Sequence, residues 1–85
     1  MMADLMIGNI EEGTSDDEIR EFVTKYGFPA FDEIKHVPGT GSRPGVLLTF
    51  NDLDEAALRA LQPRIQNMFW KGRTINVSIM REYGH

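Results

Sequence analysis

The chain has no cysteine, two histidines and a single tryptophan in 85 residues. Without cysteine there is no disulfide framework, which suits a reducing compartment. The cytoplasm is the expected location, with the nucleus as the alternative. With no thiol, and only His36 and His85 as imidazoles, no metal site is expected. No apolar stretch approaches the ~20 residues of a membrane helix, so the chain reads as soluble and without a membrane partner. The opening "MMADLMIGNIEEG" lacks a basic leader, and Asp4 and Gly8 break its apolar run, so it does not read as a signal peptide. Material for catalysis is equally scarce. A nucleophile, a base and an orienting group must meet in one pocket, and the acids here cluster at helix starts. The loop "PGTGSRPG" lacks the Gly-Lys-Ser/Thr ending, and the following helix, of a phosphate cradle. The expectation is a protein that is not an enzyme and uses no cofactor.

What is present is ordinary for a small globular domain: 41% hydrophobic and 26% charged residues. One domain over residues 1–85 is expected, with a core of about 4–81 and a short tail, 82–85. The net charge of −4 argues against binding nucleic acid by bulk charge alone. Its distribution is uneven. Residues 1–21 hold seven acids and one base, Arg20, whereas residues 56–81 hold five bases and no acid. Two solvated faces that keep a small domain soluble are a sufficient explanation of that asymmetry.

Along the chain, "DLMIGNI" (4–10) is short, apolar and rich in β-formers, so it reads as a strand ending at the turn "EEGT". In "TSDDEIREFVTKYG" Ser15 and Glu18 form a capping box, with Thr14 and Asp17 as an alternative frame. Ile19, Phe22, Val23 and Tyr26 then make one apolar helical stripe. Gly27 ends that helix and Pro29 cannot continue it. "AFDEIKHV" (30–37) and "VLLTF" are further strands, separated by the Gly/Pro-punctuated loop 38–45. "NDLDEAALRALQ" is a helix capped by Asn51 or Asp52, with the stripe Leu53, Ala56, Ala57, Ala60 and Leu61, stopped near Pro63. "RTINVSIM" (73–80) alternates as a half-buried last strand. The order βαββαβ predicts an α+β fold, a ferredoxin-like split-βαβ sandwich with two helices on one face of a four-stranded antiparallel sheet.

These residues resemble the RNA recognition motif (RRM) family over roughly residues 4–81. "LMIGNI" is similar to the family's first-strand hexamer, and "RPGVLLTF" stands in the place of its third-strand octamer. "KYG" and "GRTINV" are also family-like. The resemblance implies RNA binding on the sheet face opposite the helices. By strand alternation Leu5, Ile7, Val46, Leu48, Phe50, Ile75, Val77 and Ile79 point inward. Met6, Gly8, Gly45, Leu47, Thr49, Thr74, Asn76, Ser78 and Met80 point outward. On the second strand, Phe31 and Ile34 are expected in the core, with Lys35 outward. The family's three ring positions fall on Met6, Gly45 and Leu47, none of them aromatic. A stacked ring is worth about 1–3 kcal/mol per base, so the usual sheet chemistry is badly weakened. Arg43 fits the octamer's basic first position, where it would meet a phosphate or simply be solvated. Pro44 departs from the usual glycine.

One stretch offers compensation. "RALQPRIQNMFWKGR" (59–73) is longer than is typical for the family and interleaves Phe69 and Trp70 with Arg64, Lys71 and Arg73. Charge for phosphates and rings for bases are what a single-stranded site needs. Phe69 is expected to fold back onto the core, and Trp70 is left open between core and surface. The same stretch has a protein-binding reading. A subclass of the family, the splicing-factor homology modules, pairs an acidic first helix with an Arg-x-Phe loop. Here "SDDEIREF" is acidic and Trp70 takes the place of the Phe, but Met68 takes the place of the Arg. The acids also have a local cause, because negative charge favours a helix N-terminus. Met6, Leu47 and Met80 would form an apolar patch able to dock a protein partner, unless Tyr83 of the tail covers it. The resulting expectation is weak or atypical binding of single-stranded RNA, with single-stranded DNA as a further ligand. The RNA contacts expected are Met6, Gly8, Asn9, Lys35, Arg43, Gly45, Leu47, Trp70, Lys71, Arg73 and Asn76. The alternative is protein docking through the apolar sheet face or the Trp70 loop.

Overall fold

The computed structural model describes residues 3–37 and 44–80. Arg43 and Tyr83, together with most of the loop 38–45 and the tail, lie outside the described residues. Six strands and two helices follow in order: β1 (Ala3–Gly8), α1 (Asp16–Lys25), β2 (Glu33–Val37), β3 (Gly45–Phe50), α2 (Glu55–Leu61), β4 (Phe69–Trp70), β5 (Arg73–Thr74) and β6 (Asn76–Met80). A 3-10 turn, Gln62–Arg64, extends α2 past Pro63. The main sheet has the strand order β2-β3-β1-β6, all antiparallel, and β4 and β5 form a separate hairpin. The expected α+β split-βαβ sandwich is therefore the architecture of the chain.

The local rules explain most of the elements. Helix α1 starts at a complete capping box: Glu18 N donates to Ser15 Oγ and Ser15 N donates to Glu18 Oε1. Thr14, the alternative cap, instead donates its hydroxyl to Glu11 O. Ile19, Phe22 and Val23 are buried, and Tyr26 is half-buried. Gly27 follows at φ 97°, a left-handed stop that suits glycine. Along β1 and β3 the inward set Leu5, Ile7, Val46 and Leu48 is fully buried, joined by Ile75, Val77, Phe28, Phe50 and Ile65. Truncating one such side chain, as in Leu48→Ala, costs about 2–5 kcal/mol.

The second helix starts later than its sequence suggests. Its cap is Asp54, whose Oδ1 accepts from Ala57 N at 2.8 Å, not Asn51 or Asp52. Helix α2 therefore begins at Glu55. Leu58 is its fully buried residue, while Ala56 and Ala60 are exposed. The local competition favours Asp54 because Asn51 and Asp52 already form the turn after β3, where Asn51 N donates to Asp32 Oδ2.

The last strand is not continuous over 73–80. Residues 69–74 form a two-residue hairpin whose tip, Lys71 (φ 53°) and Gly72 (φ 80°), has the paired positive φ of a type I′ turn. Strand β6 then resumes at Asn76. The free edge of β6 at Val77 is sealed by side-chain amides. Gln66 Oε1 accepts from Val77 N at 2.9 Å, while Gln66 Nε2 and Gln62 Nε2 donate to Val77 O at 2.8 and 2.7 Å.

Candidate nucleic-acid interface

The pairing register places the outward side chains in rows across the sheet. One row runs Lys35–Leu47–Met6–Ser78, the next Val37–Gly45–Gly8–Asn76, and the third, at the opposite end, Glu33–Thr49–Asp4–Met80. Met6, Gly8, Lys35, Gly45, Leu47 and Asn76 are thus brought onto one surface. Met6 and Leu47 sit side by side on the two central strands and are half-buried, while Lys35, Asn76 and Ser78 are exposed. Thr49 shares this face yet is only 8% exposed, because its short side chain stands between Asp4 and Glu33 on the flanking strands.

The two glycines define the middle of the second row. A Cβ at Gly45 would lie 2.8 Å from Ile7 O, a backbone atom. A Cβ at Gly8 would lie 2.6 Å from Asn76 Oδ1. The Asn76 amide therefore rests over Gly8, where it makes no hydrogen bond to another described residue and is free to address a base edge. Among the ring positions, Gly45 cannot carry a ring without displacing the strand beside it. Met6 and Leu47 offer apolar contact without a π-face.

The remaining expected contacts lie elsewhere. Asn9, at φ 61°, uses both ends of its amide on the hairpin: Nδ2 donates to Thr74 O at 2.9 Å and Oδ1 accepts from Arg73 Nη1 at 3.1 Å. Asn9 and Arg73 together clamp the base of the hairpin against the end of β1. Trp70 is half-buried on the helix side of the molecule, stacked on Phe22 with ring centroids 4.3 Å apart. Lys71 Nζ pairs with Glu18 Oε2 at 2.5 Å, and its charge lies 5.8 Å from the Trp70 ring centre. Trp70 and Lys71 therefore face α1 and do not join the sheet surface.

Phe69 reverses its expected place. It is 71% exposed, whereas its neighbour Trp70 packs against the core. Hairpin alternation accounts for this, since adjacent residues on a strand must face opposite ways. The signal in the sequence was "KGR", a Gly at the second position of a two-residue turn between β-forming residues.

Charge is mostly spent within the domain. Arg20 pairs with Asp17, Arg59 with Glu55 and Lys71 with Glu18, while Arg64 donates to Tyr26 O. His36 Nε2 lies 2.5 Å from Asp16 Oδ1 and ties β2 to the start of α1. Lys35 has no such partner among the described residues. Glu18 serves both the helix cap and the hairpin. Its carboxyl is held below the ordinary value of 4.5, first by the hydrogen bond from Lys71 and then by that from the Ser15 backbone. Beside this pair, Glu18, Glu21, Phe22, Lys25, Tyr26, Trp70 and Lys71 line a shallow cavity of about 290 Å³. Among the described residues no three His, Cys, Asp or Glu converge to hold a metal ion, and no helix is long and apolar enough to cross a membrane.

No protein-family model matches the sequence, and a search of curated proteins finds no significant match. Solved structures do match. A structure titled "Pes4 RRM3 Structure" superposes with a TM-score of 0.73 at 17% identity, covering 96% of this chain and 95% of that one. "Structure of Mip6 RRM3 Domain" gives a TM-score of 0.70 at 14% identity, with 88% of each chain covered. With the strand order and register already described, this likeness shows that the chain has the fold of an RNA recognition motif.

Proposed function

We propose that this chain is a binding module for single-stranded RNA, acting weakly and through an atypical surface, and not an enzyme. The observation that carries this reading is the outward sheet face. It has an apolar centre at Met6 and Leu47, exposed polar groups at Asn76 and Ser78, and at its edge the exposed cation Lys35, which pairs with no described acid. Bases rest on the apolar centre, polar groups meet their edges, and Lys35 supports the phosphate chain. Single-stranded DNA offers the same bases and phosphates and serves as the comparison ligand.

An amide NMR titration with a mixed pool of short single-stranded RNA at low salt tests this. Shifts concentrated on β1, β3, β6 and the hairpin, weakening gradually as salt rises, are the expected result. Amides that stay still at millimolar RNA overturn it.

The cavity beside Trp70 favours a second reading, docking of a peptide that inserts an aromatic side chain between Tyr26 and Trp70. Such docking depends little on salt and alters the emission of Trp70, the only tryptophan in the chain. RNA on the sheet face leaves that emission nearly unchanged.

A further inference from the structure

Phe69 and Met80 are the exposed large apolar side chains of the described residues, and Phe69 is by far the more open, 71% against 41%. Exposed single apolar residues are common, so exposure alone says little. Position and rigidity say more. Ile75 N donates to Met68 O at 2.9 Å, so Met68 lies across from Ile75, Phe69 across from Thr74 and Trp70 across from Arg73. Residues directly opposite on antiparallel strands share a face. Met68, Ile75 and Trp70 pack toward the core. Phe69 and Thr74 therefore turn the other way, to the side of Asn76, Ser78 and Met80. The Phe69 ring extends the outward face at its corner, one step beyond Asn76 and the Gly8–Gly45 floor.

The hairpin that carries this ring is held at three points. Trp70 stacks on Phe22, Lys71 pairs with Glu18, and Asn9 bonds to both Thr74 and Arg73. A ring presented on a fixed element loses little freedom when a ligand covers it. The surroundings favour an anionic aromatic ligand. The rows Val37–Gly45–Gly8–Asn76 and Phe69–Thr74 contain no acid, whereas Asp4 and Glu33 lie at the opposite end of the face. Lys35 stands one row away from the glycine floor.

We infer that Phe69 is a base-stacking platform displaced from the sheet strands to the hairpin, forming with the Asn76 amide a subsite for one nucleotide of single-stranded RNA. The base lies against the phenyl ring, its polar edge meets Asn76, and the glycine floor leaves room for the sugar. This rests on the RNA-binding reading above and adds to it the residue that supplies the π-face missing at Met6, Gly45 and Leu47.

The test is fluorescence anisotropy with a 5′-fluorescein-labelled, mixed-sequence octaribonucleotide at low salt, run beside the NMR titration of the unmodified chain. Phe69→Ala should weaken binding about five- to 150-fold, the loss of one stacked base, while Phe69→Tyr stays within about twofold. Because the ring is exposed, both variants should melt at the temperature of the parent, which separates a binding effect from misfolding. If the parent binds and Phe69→Ala binds equally well, the subsite is overturned while the RNA reading stands. Such a result would assign the ring to a protein contact or to none. If the parent neither shifts nor binds, both fall together.

Discussion

Met6, Gly45 and Leu47 lie on neighbouring rows of the outward face, but they differ in what each would accept. Met6 and Leu47 are half-buried neighbours on the open face, and a larger flat side chain at either can spread over the sheet. Met6→Phe and Leu47→Phe should each strengthen RNA binding by about 1–3 kcal/mol, read by anisotropy against the parent. Gly45 behaves in the opposite way, because its Cβ would press on Ile7 O. Gly45→Phe should lower stability by about 1–3 kcal/mol in a thermal melt without gaining affinity. Lys35 is the remaining single-residue lever. Its removal in Lys35→Ala should reduce the slope of log K against log salt by about 0.7, the contribution of one phosphate contact on a single strand.

At the scale of elements, Glu18 couples the start of α1 to the tip of the hairpin. Its folded-state pKa is depressed, so the ionised form favours the folded chain. The stability it contributes is complete above about 4.5, its ordinary value, and is lost as pH falls through the lowered one. Glu18→Gln should flatten that part of the acid limb in a plot of Tm against pH. Gln66→Ala removes the acceptor of Val77 N and one of two donors to Val77 O. A polar group left unpaired costs about 1–3 kcal/mol, so the variant should melt several degrees lower. How far these elements could be read from sequence depends on their periodicity. Helix α1 was legible because its capping box and apolar stripe agree, and β1, β3 and β6 because inward residues are apolar on every second position. The hairpin was not, since "MFW" is apolar on both faces and period two leaves no trace in it. Phe69 consequently lies exposed where the core was expected, and Trp70, whose place was open, takes the core side. Helix α2 lost its frame because three acid or amide residues, Asn51, Asp52 and Asp54, compete as caps, and only the turn after β3 decides among them. The roles of Asn9 and Lys71 depend on partners 64 and 53 positions away in the chain, distances at which local pattern carries no information.

For the molecule as a whole, the polarised sequence does not become a polarised surface in any simple way. Lys71 from the basic segment is neutralised by Glu18 from the acidic one, and most described cations are already engaged. Single-stranded RNA binding should therefore show a shallow salt dependence, with a slope of about −0.7 to −1.4 set by one or two phosphate contacts, measurable by repeating the titration across ionic strengths. The amide seal on β6 has a different consequence. Val77 presents no free backbone group to a neighbour, while β2 at the other end of the sheet pairs on one side only among the described residues. At Val77 an incoming strand thus finds nothing to pair with, so an added strand, a second copy included, is steered away from the middle of β6 and toward β2.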